Sequence, residues 1–226
     1  MNYETEKTMR FKFVGLGVVV LASLAIAQTS TAPDLNLHGN RFKPLTYNEL
    51  TPEQKTLVEH VLAGERKALN GPFNIMLRSP EMGDAAQQLG IQLRFHSTIP
   101  NRLNELAILM TARYWNAQYD WWFHHKAALD AGLSPAVIAA IAAGKRPKSM
   151  LPDEEIVYNF ADELLRTKRV TDASFKAVVD KFGERGTVDL TGVMGYYSFV
   201  SMILNIDPYP MPDGVKPELI EHRTIQ

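Results

Sequence analysis

The stretch RLNELAILMTARYW, residues 102–115, decides how the chain folds. Leu103, Leu106, Ala107, Met110 and Tyr114 recur at the spacing of one helical face, while Ile108, Leu109 and Ala112 fill the other side. A helix that is apolar nearly all round must be covered by its neighbours, so the rest of the chain has to surround it. Toward the C-terminus the sequence predicts a helix from Tyr119 to Ala131 stopped by Gly132, and a short one opened by Ser134-Pro135 and ending at Gly144. An amphipathic helix from Pro152 to about Thr167 follows, then another capped by Thr171-Asp172 and running to Phe182. Toward the N-terminus, Thr51-Pro52-Glu53 opens a helix to about Ala68, ended by Asn70-Gly71-Pro72; a loop through Pro80 leads into a helix from Glu81 to Phe95, and Ser97 to Pro100 break the chain before residue 102. The final helix, Val188 to Asn205, carries no charge between Asp189 and Asp207 and holds several small residues, as a central or interface helix does.

No strand-like alternation, Gly-rich phosphate loop or repeat appears. The expected fold is therefore all-α: a single-domain bundle of about eight helices over residues 51–207, preceded by an extended arm at 28–50. Residues 208–226 are Pro-rich and read as a tail, draped over a neighbour or disordered.

Lys7, Arg10 and Lys12 precede an uncharged run with Val18 to Leu21 at its centre, and Ala25-Ile26-Ala27 supplies small residues before Gln28. This pattern predicts a signal peptide over residues 1–27 and a periplasmic or secreted product, with Met9 an alternative start. The strongly apolar part is shorter than the roughly 20 residues of a spanning helix, which speaks against a membrane anchor.

The 226 residues include 24 basic and 25 acidic side chains and no cysteine. Near-neutrality, without a Lys/Arg-rich run, speaks against nucleic acid as a partner. The lack of cysteine excludes disulfides, thiolate metal sites and a cysteine nucleophile, leaving histidine, carboxylates, hydroxyls or a bound cofactor to carry any chemistry.

The densest chemistry lies at residues 115–125, WNAQYDWWFHH, which contain all three tryptophans. Asp120 and His124 are four apart and share one helical face, where a carboxylate can orient an imidazole. Aromatic walls exclude water and tune such groups toward neutrality, although the same pattern also describes aromatics packing two helices beside a surface Asp/His pair. His125 is turned about 100° from His124 and reads as a surface or interface residue. Glu105 stands in the first turn of the buried helix, where it can serve the helix dipole, pair with Arg102 or Arg113, or act as a second proton-handling group. The six histidines form no HExxH or comparable pair, and no metal is expected.

Residues 102–109, then 112–121, His124 and Ala131-Gly132-Leu133-Ser134 closely resemble the carboxymuconolactone decarboxylase family of the alkyl hydroperoxidase D-like superfamily. Gly71-Pro72-Phe73, Ser79-Pro80-Glu81 and the run from Asp189 through Gly195-Tyr196-Tyr197 to Asn205 extend the resemblance over about residues 41–213. It implies trimers or hexamers of helical subunits. The peroxidase branch uses a glutamate, a CxxC pair and a histidine; Glu105 and His124 stand at the first and last of these, but the cysteine positions are Ala117 and Asp120. Peroxide reduction is therefore disfavoured, and the resemblance to the decarboxylase branch implies a cofactor-free acid/base lyase or isomerase acting on a small anionic lactone or related compound. On that reading His124 moves the proton, Asp120 orients it and Glu105 is the second proton-handling group. Arg113, Trp121 and His96 are the substrate-binding candidates, Arg113 being equally a structural residue. The rival expectation is a non-enzymatic small-molecule-binding or oligomeric scaffold protein.

Overall fold

A computed structural model describes residues 32–219. The expected leader lies outside them, as do residues 220–226. The described residues form eight α-helices and no strand: α1 (Pro52–Ala63), α2 (Phe73–Met76), α3 (Pro80–Phe95), α4 (Asn101–Trp115), α5 (Gln118–Asp130), α6 (Pro135–Ala142), α7 (Pro152–Thr167) and α8 (Asp172–Ile206). None of them is long and apolar enough to cross a membrane.

The apolar circumference of residues 102–115 has its expected consequence. Every residue of α4 from Leu103 to Arg113 is buried, and α5, α6, α7 and α8 all pack against this helix. Its C-terminus is closed by Asn116 in the left-handed region (φ 51°), whose N–H donates to the Ala112 and Arg113 carbonyls. The chain thereby turns at once into α5. Leu190, Val193, Met194, Tyr197 and Val200 of α8 join the core around α4, while Leu57, Val58 and Val61 of α1 form a smaller core with Phe73 and Met76.

Several boundaries differ from expectation. α1 ends at Ala63 because Gly64, its C-cap, leaves the helix in extended conformation (ψ −167°). The predicted loop through Pro80 contains the one-turn helix α2. The two final helices meet at a single kinked residue, Gly183 (φ 73°, ψ 175°), a conformation that a side chain would strain. The described part of the arm carries a 3₁₀ turn at Tyr47–Glu49 and buries Leu35, Leu37 and Leu50 against α1. Asp207, just past α8, accepts the N–H groups of Asn40 (2.7 Å) and Arg41 and so fastens the arm to the end of the bundle.

Residues 208–219 also differ from the expectation of a tail disordered or draped over a neighbour, because they lie on the chain's own α5. Gln118 and the Leu219 backbone exchange two hydrogen bonds of 2.7 and 3.1 Å, and the Glu218 carboxylate accepts from Trp121 Nε1 (3.0 Å) and pairs with His125 Nδ1 (2.7 Å). Positions 118, 121 and 125 recur at helical spacing on one face of α5, and the tail covers that face.

Candidate active site

The other face of α5 carries Asp120 and His124, and both are buried. α4 crosses beside them and brings in Glu105, only 3 % exposed. The Glu105 carboxylate lies 2.7 Å from His124 Nδ1, the shortest contact the ring makes. Asp120 Oδ1 is 3.8 Å from Nε2, too far for a hydrogen bond. The ring's hydrogen bond is thus made with Glu105, and the orienting carboxylate expected at Asp120 stands beside the ring without one. Glu105 contacts the ring at Nδ1, and Nε2 lies on the Asp120 side. The reason is steric: a short carboxylate four residues away on the same helix lies beside the ring, whereas a glutamate on a crossing helix can meet it end-on.

α8 supplies the third wall. Ser201 Oγ donates to Asp120 Oδ2 at 3.3 Å, and the Tyr197 ring stands edge-on to His124 with centroids 4.8 Å apart. Burial pushes the Asp120 carboxyl up to about 6; His124 and the Ser201 hydroxyl pull the other way, and Glu105 adds to the rise. Burial likewise drives the Tyr197 hydroxyl well above its ordinary range, so it remains a neutral donor.

Asp120 and His124 border a cavity of about 50 Å³ with Tyr196, Tyr197, Arg66 and Arg94. Glu105, behind the ring, faces a separate groove of about 680 Å³ between the C-terminal end of α3 and the start of α4. Arg94 borders both spaces.

The three expected substrate-binding residues lie elsewhere. Arg113 is eight residues beyond Glu105, about 12 Å further along the helix axis, and lines a different cavity with Tyr114 and Asp162. Burial lowers its guanidinium pKa there. Trp121 neighbours Asp120 in sequence and is consequently turned away from it, into the core and the Glu218 carboxylate of the tail. His96 is half exposed and pairs with Glu65 at 2.6 Å. His125, expected at a surface or interface, is partly exposed and held by Glu218.

Sequence reasoning passed over Arg66, Arg94, Tyr197 and Ser201 as site residues. The two arginines come from the α1–α2 loop and the last turn of α3, and no spacing links them to residues 120–124. Tyr197 stands in a Gly-Tyr-Tyr run already conspicuous in the sequence, and Ser201 lies four residues on, the one signal that could have placed α8 at the site. Among the described residues, no group of three or more His, Asp or Glu side chains is arranged to hold a metal ion.

Compared with protein-family models and with curated proteins, the chain matches none.

Proposed function

We propose that this protein is a cofactor-free acid/base lyase or isomerase of the carboxymuconolactone decarboxylase type, acting on a small anionic lactone or a related compound. The observation that carries the reading is the His124–Glu105 hydrogen bond, buried among aromatic rings at the border of a cavity that Asp120 also lines. An imidazole held by a carboxylate at Nδ1 is a general acid or base at Nε2. In decarboxylation, the carbon–carboxylate bond breaks to release carbon dioxide, the electron pair moves into the conjugated carbonyl as an enolate, and the His124 imidazolium returns a proton to carbon. Glu105 steadies that imidazolium, and the Asp120 carboxylate adds its charge from the other side. The lactone carbonyl itself is the electron sink, so the reaction calls on no cofactor.

The test is turnover of carboxylated γ-lactones, followed by carbon dioxide release and product ultraviolet absorbance, with His124→Gln as comparison. Loss of turnover in a folded variant supports the reading; equal rates in variant and wild type sink it. The small volume of the cavity favours a second reading, a small-molecule-binding or scaffold protein without turnover, and complete inactivity of the wild type against such lactones would favour it. Thiol-dependent peroxide reduction has no nucleophile in a chain without cysteine. The leader pattern of residues 1–27 supports a periplasmic or secreted location, and the family resemblance supports a homotrimer or hexamer.

A further inference from the structure

We infer that Arg94 and Arg66 form a subsite for a single carboxylate across the cavity from His124, with Arg94 setting the preference, and that this carboxylate is retained through the reaction. The inference rests on the acid/base reading of His124 and deepens it by naming the ligand class.

The two arginines of this cavity differ from the ion-paired arginines of the bundle. Arg102 is paired with Asp153 and Glu154, Arg146 with Glu155 and Arg166 with Asp162. Among the described residues, neither Arg94 nor Arg66 has a carboxylate within ion-pair distance, although Arg94 acts on the Asp120 carboxylate through its charge. Aromatic rings hold them instead: Arg94 lies 5.2 Å from the Phe123 ring centroid and 5.3 Å from that of Phe95, and Arg66 lies 5.8 Å from that of Phe73. A guanidinium whose neighbours are aromatic rings rather than carboxylates keeps N–H groups available for a planar anion. Arg66 also donates to the Tyr196 hydroxyl at 2.9 Å. That pair exists because residue 90 is glycine: a Cβ there would stand 2.2 Å from Arg66 Nη2 and 2.3 Å from the Tyr196 oxygen. The helix gives up a side chain to let an arginine reach the cavity.

Charge and size select the ligand. With His124 neutral and ready to take a proton, Glu105 and Asp120 balance the two guanidinium groups. One carboxylate then adds a single negative charge, placed at the guanidinium edges. A second would double that charge in a cavity with room for only on the order of four water molecules. A carboxylate gripped by guanidinium is stabilised as an anion and is a poor leaving group, which singles out the isomerase arm of the reading. There, His124 Nε2 takes a proton from carbon, the electron pair shifts into the conjugated carboxylate, and the same proton returns to another carbon, so that no atom is gained or lost.

The probes are but-3-enoate, its neutral amide and the dianion malonate, titrated into the full chain by calorimetry and ligand-observed NMR. But-3-enoate is expected to bind, with malonate and the amide at least about 10-fold weaker. Arg94→Gln should weaken but-3-enoate by about 10–100-fold, the range for a charge-assisted contact, and Arg94→Lys, which keeps the charge without the fork, by less. Equal binding of acid and amide by the wild type, or unchanged acid binding by Arg94→Gln, overturns the subsite. The wild-type comparison decides even if Arg94→Gln fails to fold. Incubation in deuterium oxide reads the chemistry separately. Arg94-dependent binding with neither isomerisation nor lactone turnover leaves the subsite standing and removes the acid/base reading. Lactone turnover whose KM ignores Arg94→Gln does the reverse, and carbon dioxide release from a monocarboxylate that binds through Arg94 overturns the retained carboxylate.

Discussion

Asp120 is the residue at which function and stability pull in opposite directions. Its carboxyl titrates at about 6 in the folded protein against an ordinary 3.8, so the folded state holds the proton more tightly than the unfolded chain does. Between those two values stability therefore falls as pH rises, and above pH 6 the full cost of a buried carboxylate remains, about 1–3 kcal/mol. Asp120→Asn removes that cost while its amide oxygen still accepts from Ser201. It is expected to melt higher than wild type at pH 8, with the difference gone at pH 4; a variant less stable than wild type at pH 8 would refute the assignment. Activity should go the other way. Wild-type kcat/KM is expected to rise through about pH 6, because only the ionised carboxylate steadies the imidazolium, and this step should be missing in Asp120→Asn. His124→Gln and Glu105→Gln are each expected to lose about 10²–10⁴-fold in kcat, the first by removing the proton carrier and the second by releasing the ring from its tautomer. Kinetics on variants with unchanged circular dichroism check this, and retention of activity in Glu105→Gln would return the orienting role to Asp120. The Asp120/His124 pair was legible in the sequence because both residues sit on one helix, where spacing is geometry. Which carboxylate orients the ring was not legible, since that depends on how α4 crosses α5.

At the scale of elements, the informative positions are those where a helix departs from its own preference. Gly90 sits inside α3, where alanine would favour the helix by about 1 kcal/mol on propensity alone. Because its missing Cβ makes room for Arg66 and Tyr196, Gly90→Ala is expected to destabilise the protein instead, by about 1–3 kcal/mol of overpacking, and to weaken anion binding. Chemical denaturation decides the sign, and a stabilised variant would show that the arginine moves aside freely. The C-terminal strap is a second such position. Glu218 holds Trp121 and His125 on the back of the helix that presents Asp120 and His124, so Glu218→Ala should loosen α5 by about 1 kcal/mol. Hydrogen exchange across residues 118–130 is the measurement, and unchanged protection would mean that the strap merely lies on the surface. The caps of α6 and α8 were plain in the sequence because Ser134 and Thr171 do chemistry with their own neighbours. The strap was not, because its anchors lie about a hundred residues away and a proline-rich composition announces only the absence of a helix.

For the whole molecule, one helix organises the larger core: α4 is buried along its length, and α5, α6, α7 and α8 pack their apolar faces on it, while α1 and α2 belong to the smaller core. That is why the helical class could be read from periodicity alone, while the pairing of α1 with the arm, set by contacts distant in sequence, could not. The same logic bears on assembly. The uncharged second half of α8 buries Val193, Met194, Tyr197 and Val200 against the core, yet Met202 within it is 41 % exposed and Val188, just before Asp189 at its start, is 69 % exposed. With Thr191 and Gly195 they fall at helical spacing along an outward stripe, and a Cβ at Gly195 would meet nothing within 4 Å. An outward stripe of Val188, Thr191, Gly195 and Met202, without a charge from 190 to 206, is a poor water-facing surface but a good contact for a second copy of this chain. We therefore predict that the protein is a homo-oligomer in solution, a trimer or hexamer, joined through this stripe. Light scattering coupled to gel filtration is expected to give a multiple of the protomer mass, and Val188→Asp, which puts a charge at the most exposed apolar position of α8, is expected to lower it without unfolding the protomer. A wild-type protein that runs as a monomer at micromolar concentration would refute the oligomer, and an oligomer indifferent to Val188→Asp would move the contact to another face.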